Sequence, residues 1–484
     1  MVVARKIAYN VVFNVIAKIL STILALIGIG FITRYLGKEG FGNYATVLAF
    51  FAFFSSFSDL GLYSVATREI SRAGADEEKI MGNVFSLRLV SSLAVFLIFL
   101  FFIGFLPYER DMKAGIIIAG IAFVFSSGYS VLNGIFQKNL AMDKVALAEF
   151  IGKIIQVGFI ILAVKKNLGF TAIMLSLLLY MIFNFAVIYK LSQKYIKFKI
   201  HADIAYWKKF LKKSLPMGIS VMITFFYFKA DTIMLSLMKT NADVGIYNAA
   251  YKVIENITFF PAMIAGLILP LMSRYIFSER EKFEDIADKT FKVLLILIVP
   301  VVVGTLFLAD KIIGLIGGAG FSESANVLRI LVFALFFIFF GNFFNNILLV
   351  SNLQKKLMAV LSFCAAFNII ANLILIPLYS YKGAAVTSVL TELLVVSLAL
   401  YLIWKNINYR PKAHFLGRIL VSGLTMAIFL FFFQKFNFFL LAIGSAGIYM
   451  LFLWLTKAVA SEEIISIISK RGAEVSPIQR EEII

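Results

Sequence analysis

Long apolar runs recur through this chain from near Ala8 to Leu455, about fourteen of them, each roughly 18 to 30 residues and separated only by short polar connections. A helix needs about 20 apolar residues to cross the hydrocarbon of a bilayer, so every run is long enough to span it. Inside lipid each backbone N–H and C=O must find its partner within the protein, which leaves only helices and closed barrels. The runs have neither the ten-residue length nor the alternation of barrel strands. The expectation is an all-α polytopic membrane protein of about 14 transmembrane helices. These fall near 8–34, 42–65, 84–106, 114–136, 146–164, 169–189, 214–238, 244–275, 291–309, 326–350, 357–377, 383–404, 415–434 and 437–456. With 61% hydrophobic and only 15% charged residues, little chain is left for a soluble domain.

The net charge of +19 would suit a nucleic-acid binder if it formed one patch, but it alternates from connection to connection. Lys and Arg concentrate in the connections on the side of the N-terminus. The positive-inside rule then puts both termini in the cytoplasm and the protein in the cytoplasmic membrane. The densest cluster, Lys190, Lys194, Lys197, Lys199, Lys208, Lys209, Lys212 and Lys213, falls between helices 6 and 7 and faces anionic lipid headgroups in this reading, not nucleic acid. Arg5 and Lys6 precede the first run as in a signal peptide, but the run is too long for an h-region and no small-residue cleavage site closes it. Cys364 lies in an apolar stretch and reads as a buried thiol. Ile464, Ile465, Ile467 and Ile468, set among charges after Ser461, suggest a short helix lying on the inner membrane surface.

The chain reads as a duplication. Gly42-Asn43-Tyr44 opens helix 2 and Gly245-Ile246-Tyr247 opens helix 8, while Gly169 and Gly383 open helices 6 and 12. Six helices precede the basic segment and six follow it, so both copies start from the same side, as parallel repeats do. The expected division is an N-lobe over 1–200, a C-lobe over 201–405, helices 13 and 14 over 406–456 and a cytoplasmic tail over 457–484. Two such lobes would enclose a central cleft that opens to each side in turn. Pro261, Pro270 and Pro300 fall inside helices 8 and 9, where a lost backbone bond favours kinks. Gly28-Ile29-Gly30 in helix 1 suits either a bend or close helix packing.

Tyr35-Leu36-Gly37-Lys38-Glu39-Gly40-Phe41-Gly42-Asn43-Tyr44, followed by Asp59-Leu60-Gly61-Leu62 and Arg68-Glu69-Ile70, resembles the opening of polysaccharide or lipid-linked oligosaccharide flippases. Those belong to the multidrug/oligosaccharidyl-lipid/polysaccharide exporter superfamily. The second half is similar in the same way: Pro216 opening helix 7, Asp231 within it, then Gly245-Ile246-Tyr247, Pro261, and Pro270 before Ser273, with Gly320-Phe321-Ser322 and Leu328-Arg329-Ile330-Leu331 ahead of helix 10. The resemblance runs over about the first 400 residues. It implies a fourteen-helix, two-lobed fold that moves a glycan on a polyprenyl phosphate or diphosphate carrier by alternating access, with no chemistry on the substrate and with glycan-assembly enzymes as partners.

Ionisable residues inside the spans are few. They are Lys18, Asp59, Glu149 and Lys153 in the first lobe, and Lys229, Asp231, Lys252, Glu255 and Glu392 in the second. A mid-helix lysine costs roughly 2.5 to 3.5 kcal/mol on insertion scales, so four unpaired ones would cost on the order of 10 kcal/mol. Glu149 and Lys153 stand at i,i+4 and Lys252 and Glu255 at i,i+3, so each pair can neutralise itself on one helix face. Lys229 and Asp231 are two apart and point in different directions, and Lys18 has no acid in its own helix. Either a wet cationic cleft lined by Lys18, Lys229 and Lys252 receives an anionic headgroup, or the lysines form a structural network. Asp231, Glu255 and Glu392 are candidates for H+ or Na+ coupling, or counter-ions. Asp59, Glu149 and Lys153 complete the intramembrane charge.

Gly317-Gly318-Ala319-Gly320 lacks the strand context of a dinucleotide loop and reads as a turn. His201 and His414 have no cysteines near them, so neither a metal nor another cofactor is expected. An enzyme would need a soluble domain or a large loop, and no connection exceeds about 25 residues. The rival readings are a cation-coupled multidrug antiporter, which should line its cavity with acids rather than lysines, and a peptidoglycan lipid-precursor flippase, which differs only in cargo. Single cysteines at Lys194 or Lys282 should react with impermeant maleimide from the cytoplasmic side, and those at Lys166 or Lys382 should not. Labelling of all four from one side would overturn the fourteen-helix topology.

Overall fold

The structure, a computed structural model, describes residues 2–458; side chains of 2–12, 15, 220, 221, 224, 226–228 and 267 lie outside that description. The tail after Ser461 lies outside it too. Among the described residues the chain is helical and without strands. The helices are α1 (Val2–Asp59), α2 (Leu62–Ile70), α3 (Glu77–Phe102), α4 (Arg110–Lys138), α5 (Met142–Lys165), α6 (Gly169–Ser192) and α7 (Ile204–Met238). They continue as α8 (Asn241–Ile257), α9 (Phe259–Tyr275), α10 (Arg280–Gly317), α11 (Ser322–Val350), α12 (Gln354–Ile407), α13 (Leu416–Phe432) and α14 (Phe438–Leu455).

The expected spans map onto these helices with four instructive differences. Helices 1 and 2 are joined without a loop at Gly37, whose φ of 64° and ψ of −168° turn the chain inside α1. Helices 11 and 12 meet likewise at Ser380 in α12. The expected helix 8 is two segments, because Pro261 offers no N–H to the Ile257 carbonyl and α8 ends there. Finally, α7 starts at Ile204, capped by Asp203, so Pro216 lies inside it and does not open it. Its first turns are amphipathic, with Phe210 and Ser214 buried and Lys208, Lys209 and Lys212 exposed, which is why apolar length alone stopped short. Gly28 packs against Val157 and Ile160 while α1 stays helical around it, favouring close packing over a bend.

In the packing, α4 lies on α3 and α6, α5 on α6, α11 on α10 and α12, and α7 on α12; α13 and α14 pair beside α10. Contacts between connections sort them onto two opposite faces. On the face away from the basic segment, Lys38 pairs with Glu323 at 2.6 Å, Thr33 donates to the Ile316 carbonyl at 2.7 Å, and Tyr108 bonds Ser236 at 2.8 Å. There the two G-x-Y turns meet back to back. A Cβ at Gly42 would strike the Asn241 carbonyl, and one at Gly245 the Lys38 carbonyl. Each glycine thus faces the residue four before the other, the reciprocal contact that a twofold-related pair of repeats makes.

The basic face has its own seam. Gly61, with a φ of 72°, lies against Ser214 and Gly218 at the inner end of helix 2, and Lys213 pairs with Glu69 at 2.7 Å. Burial raises the Glu69 carboxyl, but Lys213, Arg72 and Arg68 outweigh it and hold it below the usual carboxylate range. Substituting Gly42→Ala or Gly245→Ala should therefore open the first seam. A cysteine reporter at Thr22 in a Cys364→Ala background should label faster from the face carrying Gly37; unchanged labelling in both variants would show that the seam tolerates a methyl group.

Candidate functional site

The break between α8 and α9 sets the central charge cluster. Glu255 sits in the last turn before the break and accepts from two lysines, Lys229 of α7 at 2.5 Å through Oε1 and Lys252 of its own helix at 2.6 Å through Oε2. Lys229 also lies over the Tyr251 ring, 4.9 Å from its centroid. The i,i+3 pair expected from spacing is present, and Lys229 turns to Glu255 and not to Asp231.

Across from it, Lys18 of α1 and Glu149 and Lys153 of α5 line a cavity of about 270 Å³, together with Asn14, Ser21, Thr22, Tyr180 and Asn256. Glu149 and Lys153 do not close the expected i,i+4 ion pair among the described residues. Lys153 instead donates to Gln156 at 2.8 Å and lies 4.7 Å over the Tyr180 ring, while Glu149 is held between the fields of Lys18 and Lys153. Lys18 stands 5.9 Å over Phe259. The charge of Lys153 is felt against that of Lys252, so the two clusters share one field. Four lysines face two glutamates, which leaves an excess of two positive charges.

Thr22 and Asn256 also border a second cavity of about 850 Å³, whose walls are almost wholly apolar: Ile23, Leu26, Ile27, Phe31, Val253, Ile257, Phe260, Ile312, Leu315, Phe438 and others from α1, α8, α9, α10 and α14. A wet cationic chamber and an oily groove therefore share a rim.

Asp231 occupies a separate site. It is 4% exposed and accepts from Asn372 at 2.6 Å, Ser388 at 2.8 Å and Tyr247 at 3.0 Å, all neutral donors. Tyr247 is the tyrosine of the second G-x-Y turn. Asn368 bonds both Asn372 and Thr391, and the buried Asn372 Oδ1 has no hydrogen-bond partner. A cavity of about 20 Å³, room for one water-sized occupant, lies between Asp231 and Glu392 with Asn368, Ser388 and Thr391 around it.

Asp59 is not isolated. It pairs at 3.0 Å with Arg88, which is 2% exposed and also donates to the Ser58 carbonyl at 2.7 Å, clamping the inner end of helix 2 against α3. Sequence reasoning passed over Arg88 because it lies only four residues inside its expected span. It also passed over the amides of helix 11, although Asn368 and Asn372 stand at i,i+4 and Ser388, Thr391 and Glu392 at i,i+3 and i,i+4, one polar stripe on each of two apolar helices.

Residues 7–276 match the family described as polysaccharide biosynthesis protein, and residues 216–374 match the MatE family. The chain is similar to the capsular polysaccharide biosynthesis protein CapF of Staphylococcus aureus, 25% identical over 78% of this chain and 93% of the relative. It is similar to the probable low-salt glycan biosynthesis flippase Agl15 of Haloferax volcanii, 24% identical over 85% and 86%. Among solved structures, the lipid II flippase MurJ in an inward closed conformation superposes with a TM-score of 0.77 over 94% of this chain and 100% of that one, at 17% identity, and shares the fold.

Proposed function

The chain belongs to the polysaccharide biosynthesis protein family, and from that premise we propose that it flips a polyprenyl phosphate- or diphosphate-linked oligosaccharide across the cytoplasmic membrane by alternating access. It is a multi-pass membrane transport protein of polysaccharide biosynthesis. The finer reading rests on one observation above the rest: lysines from both halves of the chain, Lys18 and Lys153 with Lys229 and Lys252, converge on one field with an excess of positive charge. A phosphate or diphosphate is the complement of that excess, and ammonium point charges hold it less rigidly than an arginine fork would. The apolar groove that shares Thr22 and Asn256 with the chamber fits the polyprenyl chain, and the polar wall of Asn14, Ser21 and Tyr180 fits the first sugars.

Coupling to H+ or Na+ belongs to Asp231 in this reading, with Glu392 beside it. Its carboxylate is hydrogen-bonded by neutral donors and borders a one-occupant cavity with no lysine in its lining, which suits a small cation or a proton. Glu255 is a counter-ion, since two ammoniums bracket it. The cation-drug antiporter gains support from the MatE match over residues 216–374, but the four lysines repel cationic cargo. Both termini then lie in the cytoplasm, as the basic connections favour.

Lys18→Gln and Lys229→Gln should each reduce translocation of an anionic lipid-linked glycan in proteoliposomes by about tenfold or more, with normal membrane insertion. Native rates in both variants over a range of substrate concentrations would make the lysines structural. Asp231→Asn should keep substrate binding and abolish the dependence of transport on the H+ or Na+ gradient; a gradient response equal to that of the native protein would remove Asp231 from coupling.

A further inference from the structure

The two buried carboxylates of the second half are held in different ways. Asp231 is fixed by three neutral donors from α8 and α12. Among the described residues the Glu255 carboxylate has only Lys229 and Lys252 as partners, one on each oxygen. Lys229 has a further anchor on the Tyr251 ring. Glu255 is also the most exposed of the three, at 34% against 23% and 18%. It lies in the last turn of α8, just before Thr258, whose hydroxyl donates to the Glu255 carbonyl at 2.7 Å.

We propose that Glu255 is an exchangeable counter-ion: its carboxylate occupies Lys229 and Lys252 in the empty protein, and the phosphate of the lipid carrier takes its place on both ammoniums during transport. This rests on the lysines being the headgroup site proposed above. A carboxylate and a phosphate each offer two oxygens to two N–H donors, so one can replace the other without moving the lysines. In the empty site the shared carboxylate cancels one of the two ammonium charges and leaves neither lysine without an anionic partner. The returning carboxylate then competes with the bound phosphate and speeds release, which a transporter requires as much as capture. Glu255 is thus a positioning residue that trades affinity for turnover.

The test is calorimetric binding to the full-length protein in detergent, with farnesyl diphosphate as probe and with inorganic diphosphate and farnesol separating head from tail. Glu255→Gln should bind farnesyl diphosphate about tenfold more tightly than the native protein and inorganic diphosphate more tightly by a similar factor, with farnesol unchanged. In transport the same variant should lower KM and kcat together. Lys229→Gln should bind the diphosphates about tenfold more weakly. Should Glu255→Gln not fold, Glu255→Asp, which keeps the charge but reaches less far, should show part of the same tightening. Unchanged or weaker diphosphate binding by the Glu255 variants, alongside weakened binding by Lys229→Gln, overturns the exchange and leaves the lysine site standing. Native affinity in Lys229→Gln and Lys252→Gln overturns the lysine site itself, and an equal gain for farnesol would show a change in the groove instead.

Discussion

Ammonium groups halfway through a membrane need anions or water, and the architecture around the chamber follows from how that need is met. Lys18 and Lys229 sit too far from either helix end to reach the interface by extending their side chains, at about 1.5 Å of rise per residue. Lys229 and Lys252 share one carboxylate, while Lys18 and Lys153 line a chamber with Glu149. Two of the six groups are contributed by α5, one by α1, and three by the α7–α8 pair, so each half carries two ammoniums and one carboxylate, and facing halves bring their surplus positive charges into one field. On the proposed alternating-access reading, a change in the angle between the halves alters this field and gives an anionic ligand a differential hold on the two states.

The seams at the two faces are built from backbone rather than from side chains. At one face the turns at Gly42 and Gly245 approach so closely that a methyl group on either would meet a carbonyl; at the other Gly61 and Gly218 do the same between helices 2 and 7. Ion pairs at the seams are few, chiefly Lys38 with Glu323 and Lys213 with Glu69, while buried Phe41 packs edge-on against Phe321 beside the first seam. The helices beside it are broken or kinked by Gly37, Pro261 and Ser380, positions at which the backbone ladder is already interrupted.

Apolar length and proline chemistry made nearly all of the helices legible in the sequence, and the G-x-Y repeat pointed to the glycines that now face each other. What escaped was whatever depended on a partner from a distant helix. Lys229 and Asp231 are two residues apart, and spacing alone could exclude their pairing but could not say that Lys229 would find Glu255, 26 positions on. Spacing also misled at Glu149 and Lys153, where the i,i+4 geometry permits a pair but Gln156 and the Tyr180 ring compete for the ammonium. Arg88 could not be assigned to Asp59 without knowing that α3 packs on the end of helix 2. The start of α7 was missed for a local reason: lysines interrupt the apolar run without interrupting the helix.

On the proposed reading, the contrast between Asp231 and Glu255 bears on how one polypeptide would handle both a small cation and a large anion. Both carboxylates descend from neighbouring helices, yet one is enclosed by hydroxyl and amide donors and the other by ammoniums. Neutral donors fix a carboxylate in place while leaving its charge uncancelled, which is the condition for attracting a cation into a cavity that holds a single occupant. Ammonium partners cancel the charge and make the carboxylate replaceable by another anion. Tyr247 and Tyr251, one turn apart on α8, stack at 5.7 Å between centroids; the first bonds Asp231, and the second lies under Lys229 while also lining the small cavity beside Asp231. On the proposed reading, a shift of α8 that carries Glu255 away from Lys229 would also move the Tyr247 hydroxyl that steadies Asp231, which would link the two sites through a single helix turn.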